Sequence, residues 1–221
     1  MTLEAQTTIL HRVDGSASLH SGETKTIVSV AGPIEPKVRQ ELPTTSALEV
    51  TIRADVGISN TREKLMEDKL RTVLTQTILG LMYPRQLIQI TAQILEAGED
   101  TSYTCKEMAT VINAAYLALV DANVGLNASF AAESFAIMEN GEILANPSRE
   151  ELKLSKSSHI VVFQIKNGVA TELLFIDSIG SFTEKEVYTL IDLAEKKTTE
   201  VHQTFKKTIQ SKIEKDFVWQ L

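Results

Sequence analysis

The sequence predicts an α/β protein of the α+β kind, in which helices pack on mixed β-sheets. Segments rich in β-branched residues alternate with helical segments, and two Asn-Gly pairs separate apolar strands. The chain has 221 residues, of which 43% are hydrophobic and 23% charged, so it can bury a sizeable core. No repeat and no Pro/Gly/Ser-rich linker divides it. We therefore expect a single domain over residues 1–221.

The first strands are indicated by composition. Residues 24–30 and 48–53 are rich in β-branched side chains, and the second segment alternates apolar with polar residues. Residues 32–36, between them, contain two prolines, which predict a loop that leaves the sheet. Residues 87–95 predict a further strand.

Two hairpins are predicted from turn chemistry. Asn140-Gly141 and Asn167-Gly168 each separate apolar runs, and Asn-Gly can adopt the two positive φ angles of a tight type I′ turn. Asp177 follows the last apolar run, where a turn-forming aspartate is favoured over a catalytic carboxylate.

Three helices are predicted, each from a small polar residue with a glutamate three positions later, which is the layout of a capping box. The pairs are Asn60 with Glu63, Thr104 with Glu107, and Thr183 with Glu186. The third apolar pattern continues almost to the end of the chain, which predicts a long C-terminal helix over about residues 183–217.

Composition excludes several classes of function. Lys and Arg number 22 and Asp and Glu 29, a net charge of −7 that argues against free-standing binding to nucleic-acid phosphates. No run approaches the roughly 18 apolar residues of a membrane span, and the N-terminus lacks a signal-peptide layout. One cysteine, Cys105, excludes an internal disulfide and suits the cytosol or nucleus. It is either a reactive thiolate at a helix start or, as we favour, a small buried filler.

No metal or cofactor is expected. The four histidines are far apart in sequence, and none forms a pair with metal-ligand spacing. The ten glycines form none of the phosphate-binding loops or nucleophile turns that mark common enzymes.

Basic residues cluster in two places. Lys37 and Arg39 follow the proline-containing segment, and Arg62 and Lys64 begin the first predicted helix, whose N-terminus also favours anions. Either these residues contact phosphates, or they are solvated side chains whose charge is offset by acidic neighbours on the helix.

Several short strings, in this order, resemble the RNase PH family. They are Asp14-Gly15-Ser16-Ala17, Gly22-Glu23-Thr24-Lys25, Val30-Ala31-Gly32-Pro33, Met82-Tyr83-Pro84-Arg85, Ile112-Asn113-Ala114-Ala115 and Ala118-Leu119-Val120-Asp121-Ala122. The resemblance implies the RNase PH-like fold, which is of the ribosomal protein S5 domain 2-like type. Within the family, residues 32–43 and 94–100 are most similar to ring subunits of the eukaryotic RNA exosome.

Active members of this family cut RNA from its 3′ end with phosphate, using an arginine in a glycine-rich turn and two aspartates for a metal-assisted step. Placed on this chain, the turn falls on residues 105–109, with Met108 where the arginine should be and Lys106 and Glu107 beside it. The aspartate pair falls near Leu152 and Ser157 or Ser158, and no aspartate occurs between residues 121 and 177. The resemblance thus implies a degenerate phosphate site, no metal site and no catalytic residues.

The implied function is that of a non-catalytic subunit of a hexameric ring. The expected partners are other RNase PH-like ring subunits, cap subunits, an associated 3′–5′ exoribonuclease and RNA in the channel, with no membrane. The expected locations are the nucleus, including the nucleolus, and the cytoplasm. Arg62 and Lys64, then Lys37 and Arg39, are the expected channel contacts to RNA phosphates. Two alternatives are an active phosphorolytic exoribonuclease and a scaffold in an assembly unrelated to RNA.

Overall fold

Two β-sheets and four α-helices make up the fold, which a computed structural model describes for residues 3–217. The first sheet has the strand order β1-β2-β3-β5-β4. Its strands are β1 (Leu3–Thr7), β2 (Gly15–Ser21), β3 (Thr24–Ile34), β4 (Ala47–Arg53) and β5 (Leu87–Glu96). The parallel pairing of β4 with β5 makes this sheet mixed, because its other pairs are antiparallel.

The prediction of a loop over residues 32–36 is partly wrong, because β3 continues to Ile34. A register shift takes Gly32 and Pro33 out of the ladder, after which Ile34 pairs again with Leu87. A bulge of this kind lets a strand accommodate a proline, which has no N–H to donate.

The second sheet has the order β7-β6-β8-β9 and is antiparallel throughout, so only the first of the two sheets is mixed. Its strands are β6 (Ser129–Met138), β7 (Ile143–Ala145), β8 (Ser155–Lys166) and β9 (Val169–Gly180). Asp177 lies inside β9, where its carboxylate accepts from Lys69 Nζ at 2.5 Å, so the turn predicted there is wrong.

Both predicted hairpins are present, but their turns differ. Asn167 and Gly168 have φ values of 55° and 81°, as a type I′ turn requires. At the first hairpin Gly141 has a positive φ and Asn140 does not, so the type I′ turn predicted there is wrong. The Asn140 side chain instead accepts the N–H of Glu142 at 2.9 Å, which stabilises a longer loop.

The helices are α1 (Thr61–Thr77), α2 (Cys105–Asp121), α3 (Arg149–Leu154) and α4 (Glu184–Asp216). Capping boxes begin α1 and α4 as predicted, whereas the box predicted for Thr104 and Glu107 is wrong. Helix α3 is an addition that the sequence did not indicate. No helix within residues 3–217 combines the length and apolar character needed to cross a membrane.

Helix α2 lies between the two sheets and is buried on every side from Cys105 to Leu119. The Asn113 side chain joins it to β6, because it donates to the Ala132 carbonyl and accepts the Ala132 N–H, both at 2.8 Å. The main core draws side chains from both sheets and from α2. This continuity agrees with one domain over residues 1–221, which stays a prediction.

Candidate phosphate site and basic residues

The predicted phosphate turn forms the first turn of α2, near the end of the first sheet where β5 ends. Cys105, Lys106, Glu107 and Met108 are all buried there. Met108, at the position expected for an arginine, is 1% exposed and belongs to the main hydrophobic core. Its side chain therefore contributes apolar packing to the start of α2.

A carboxylate from the preceding loop occupies the N-terminus of α2. Glu99 Oε2 accepts the N–H of Lys106 at 3.2 Å, and its Oε1 accepts the N–H of Glu107 at 2.9 Å. The Cys105 thiol lies 3.4 Å from Oε2. A helix N-terminus attracts anions because its first N–H groups have no partner within the helix. Here the chain supplies that anion itself, which is why no capping box forms.

The approach of this loop depends on Gly98. A Cβ atom at this position would lie 2.3 Å from Thr24 Oγ1 and 2.9 Å from the Thr24 backbone nitrogen. A larger residue would push the loop away from β3, and the Glu99 carboxylate would move with it.

Arg62 connects the start of α1 to the same site. Its Nη1 lies 2.8 Å from Glu107 Oε2 and 3.3 Å from Glu63 Oε1, and its Nη2 donates to the Tyr103 carbonyl at 2.6 Å. Burial lowers the pKa of Arg62, but Glu107 and Glu63 outweigh this and raise it overall. Arg62 therefore forms an ion pair with Glu107 of α2, and 21% of its side chain is exposed.

Burial is the largest influence on the pKa values of Glu99, Cys105 and Glu107. It raises the pKa of Glu107 to about 7, although Arg62 opposes the shift, and it raises the pKa of Glu99. Burial and the Glu99 carboxylate also raise the pKa of the Cys105 thiol well above its usual value. The thiol is 5% exposed and stays protonated, which supports its interpretation as a small buried filler.

The positions expected for the aspartate pair hold other groups. Leu152 lies on α3 and is buried in the main core, and Ser158 is buried on β8. The Ser157 hydroxyl lies 2.8 Å from His159 Nε2, and His159 Nδ1 lies 2.7 Å from Ser178 Oγ. Burial lowers the pKa of His159 to about 4, so this ring is neutral at physiological pH. Across residues 3–217, no three or more His, Cys, Asp or Glu side chains group as metal ligands.

Asp100 extends the loop contacts to α3. Its carboxylate forms ion pairs with Arg149 and with Lys153, the latter at 3.0 Å. These pairs hold the pKa of Asp100 below its usual value. The loop after β5 therefore contacts α2 through Glu99 and α3 through Asp100. Sequence reasoning missed both residues, because their partners come from other parts of the chain.

The two basic pairs lie at opposite ends of the first sheet. Lys37 and Arg39 are exposed after β3, near the end where Ile34 and Ala47 both pair with Leu87. Arg62 and Lys64 follow the other end of β4, which ends at Arg53. Arg53 is six residues after Ala47, which corresponds to about 20 Å along the strand at about 3.3 Å per residue.

Lys64 and Arg62 also differ from each other. Lys64 is 63% exposed and its Nζ lies 2.8 Å from Glu67 Oε2, whereas Arg62 faces α2. The structure thus brings Arg62 to the phosphate turn but does not bring the four basic residues together. Their contact with RNA stays a prediction.

Two family models together match most of the chain. The description "3′ exoribonuclease family, domain 1" matches residues 2–125, and "domain 2" of that family matches residues 129–197. The chain is 46% identical over 217 residues to the "Exosome complex component RRP46" of Saccharomyces cerevisiae, covering 96% of this chain and 97% of that protein. It is 29% identical over 204 residues to the "Exosome complex component rrp46" of Schizosaccharomyces pombe, covering 91% and 86%.

Solved structures share the fold. The crystal structure of rice (Oryza sativa) Rrp46 superposes with a TM-score of 0.86 at 22% identity, covering 95% of this chain and 94% of that chain. An archaeal exosome core chain superposes with a TM-score of 0.74 at 16% identity, covering 93% and 86%. The two family matches together span most of the sequence, and one relative is 46% identical over nearly its full length. The chain therefore belongs to the RNase PH family of 3′ exoribonucleases.

Proposed function

We propose that this chain is a non-catalytic subunit of an exosome-type ring, which forms part of the channel that leads RNA to an associated 3′–5′ exoribonuclease in rRNA processing and RNA decay. Its similarity over almost its whole length to exosome components of two yeasts supports this role. Its neighbours are then other RNase PH-like subunits and cap subunits. The corresponding locations are the nucleus, including the nucleolus, and the cytoplasm.

The observation that carries the non-catalytic assignment is the Glu99 carboxylate at the N-terminus of α2. Phosphate in this place would have to displace a carboxylate that accepts two backbone N–H groups. It would also approach Glu107, whose charge repels an anion, and it would find Met108 where the family uses an arginine. The cation that reaches the turn, Arg62, is already paired with Glu63 and Glu107, and Lys106 lacks the bidentate fork of an arginine. The attacking phosphate is therefore not bound and oriented as phosphorolysis requires.

The residues at the aspartate positions do not fit a divalent cation. A catalytic Mg²⁺ is held mainly by carboxylate oxygens and water. Leu152 is apolar, and the hydroxyls of Ser157 and Ser158 are buried, the first next to neutral His159. We therefore derive no catalytic step through a metal at these positions.

A phosphorolysis assay tests this assignment. The purified chain is incubated with 3′-labelled and 5′-labelled RNA, phosphate and Mg²⁺, and nucleoside diphosphates are measured. We expect none, and equally none from the Glu99→Ala variant, which exposes the helix N-terminus but gains no arginine. Diphosphate release by the unmodified chain would contradict the non-catalytic role.

Purification from cells tests the ring assignment separately. An affinity-tagged chain should bring down the other RNase PH-like subunits, cap subunits and an exoribonuclease in a constant ratio. A stable complex without these proteins would favour a scaffold that has no role in RNA metabolism.

The RNA contact is tested with separate variants, because the two basic pairs lie at opposite ends of the first sheet. We expect Lys37→Ala/Arg39→Ala and Lys64→Ala each to weaken RNA crosslinking in the assembled complex, with a smaller dependence of binding on salt. Lys185→Ala/Lys196→Ala, on exposed positions of α4, is the matched control. Unchanged crosslinking in both test variants would remove these residues from the channel. Replacing Arg62 would also affect stability, because Arg62 is paired with Glu107.

A further inference from the structure

A groove of about 630 Å³ lies between β1 and the C-terminal turns of α4. Residues 5–8 form one wall, and α4 residues from Lys207 to Asp216 form the other. None of its lining residues belongs to the site described above.

The first wall is the open edge of the sheet. Strand β1 is the terminal strand of the five-stranded sheet and pairs with β2 alone. Three residues of β1, Ala5 to Thr7, and Thr8, which follows the strand, line the groove. Alternate N–H and C=O groups on that edge have no partner strand and can accept an added one.

The second wall is basic. Lys207 and Lys215 are exposed and have no ion pair within residues 3–217, and they face one carboxylate, that of Asp216. Lys212 is neutralised by buried Asp121, which also accepts the Thr8 hydroxyl at 2.8 Å and so fixes the end of β1. In a chain with a net charge of −7, this groove is a local positive site.

A smaller cavity of about 340 Å³ lies between Leu3 and α4. Its charged lining residues are Glu133, Glu200 and Lys197, and Lys197 Nζ lies 2.8 Å from Glu200 Oε2. Within residues 3–217, the lysines on this side of β1 that have no ion pair therefore lie near Thr8.

We propose that the edge of β1 and the lysine-bearing end of α4 form a docking groove for an acidic, extended segment of a neighbouring protein chain. The segment would add a strand to β1 and place its carboxylates beside Lys207 and Lys215. RNA fits less well, because no aromatic side chain among residues 3–217 lines the groove for base stacking. The proposal rests on the proposed function, which supplies the neighbouring chains.

The test uses the tagged assembly and the isolated full-length chain. Mass spectrometry first identifies the protein chains that co-purify. Backbone hydrogen exchange is then measured over residues 3–8, and a zero-length carboxyl-to-amine crosslinker is used to find partners of Lys207 and Lys215. Two variants with the same change in charge are compared, Lys207→Glu/Lys215→Glu and the control Lys185→Glu/Lys196→Glu. All four positions are exposed, and circular dichroism verifies folding.

We expect exchange over residues 5–8 to be about tenfold slower in the assembly, and crosslinks from Lys207 or Lys215 to Asp or Glu of another protein. The groove variant should lose both, while the control should keep both. Equal exchange with partner chains present would overturn the inference and leave the proposed function intact. Protection lost on ribonuclease treatment would assign the groove to RNA, and crosslinks only between copies of this chain would assign it to self-association; both overturn the inference. Purification without any partner chain would overturn the proposed function itself.

Discussion

Replacing Arg62 with alanine should destabilise the fold, whereas replacing Lys64 should have little effect. The Arg62 guanidinium is the cation nearest to Glu107, whose side chain is 3% exposed, with Nη1 and Oε2 2.8 Å apart. Removing one member of a buried ion pair costs roughly 3–5 kcal/mol, because it leaves a buried charge without compensation. About a fifth of the Arg62 side chain is exposed, so we expect the lower end, about 3 kcal/mol. Lys64 is mostly exposed, and its pair with Glu67 should contribute less than about 1 kcal/mol.

Urea denaturation, followed by far-ultraviolet circular dichroism, measures the free energy of unfolding of both variants. Domains of this kind have about 5–15 kcal/mol of stability, so Arg62→Ala should still fold. Adding Glu107→Gln to Arg62→Ala removes the uncompensated carboxylate and should recover about half of the loss.

The pH dependence gives an independent test of the same ion pair. Burial raises the pKa of Glu107 to about 7, above its value in the unfolded chain, so the folded state holds the proton more tightly. Stability linked to this group therefore falls as the pH rises from about 4.5 to about 7. Without Arg62 the fall should be larger, so Arg62→Ala should lose more stability at pH 8 than at pH 5. A loss below about 1 kcal/mol at pH 8, or no recovery with Glu107→Gln, would refute this reasoning.

Three further predictions follow from buried groups. Burial raises the pKa of Glu133 to about 7. Glu133→Gln should therefore increase the free energy of unfolding at pH 8 by up to about 3 kcal/mol and change it little at pH 5. Equal effects at both pH values would contradict the idea that burying the charged carboxylate destabilises the fold. Asn113→Ala should lower the unfolding free energy by about 2–4 kcal/mol in urea, because the N–H and C=O of Ala132 lose their partner; a smaller loss would mean that water replaces the amide. Cys105 should resist a thiol reagent at pH 8 until the chain unfolds, as its burial and raised pKa require; rapid labelling of the native protein would show the opposite.

Elements with a regular apolar pattern and local caps could be predicted from sequence. Helix α4 extends from Glu184 to Asp216, close to the predicted range, because its capping box and its apolar stripe agree. Strands β1 and β2 were not predicted, since Leu-Glu-Ala-Gln-Thr and Gly-Ser-Ala-Ser-Leu-His-Ser lack β-branched runs. Their strand structure depends on pairing with β3 and on packing against α2, which are tertiary effects.

The geometry of the candidate site could not be predicted locally. Glu107 follows Thr104 at the spacing of a capping box, yet its carboxylate pairs with Arg62, which is 45 positions earlier in the chain. The N–H of Glu107, which the Thr104 side chain would accept in such a box, is bound by Glu99 instead, and Glu99 also accepts the N–H of Lys106. Spacing along one helix carries no information about a guanidinium or a carboxylate that arrives from another element.

Several strings that carry the family resemblance have structural contacts in this chain. Asp14 Oδ2 accepts the N–H of Gly32 at 2.8 Å, which joins two of the strings. Asp121 Oδ2 accepts the N–H of Ser16 at 2.9 Å, which joins β2 to the end of α2. A chain can therefore keep these strings for its fold while its phosphate turn changes, and this explains how a strong resemblance is compatible with the proposed loss of catalysis.

The loop after β5 contacts the N-terminus of α2 and also contacts α3. Glu99 accepts two N–H groups at the N-terminus of α2, and Asp100 pairs with Arg149 and Lys153 of α3. One loop therefore occupies the anion site and contacts both helices. Opening the site by removing Glu99 would leave two backbone N–H groups unpaired without supplying an arginine, because position 108 points into the core. Recovery of phosphorolysis would need both an arginine at the turn and carboxylates at the positions of Leu152 and of Ser157 or Ser158. The loop therefore fits a structural role better than a catalytic site that a single substitution could restore.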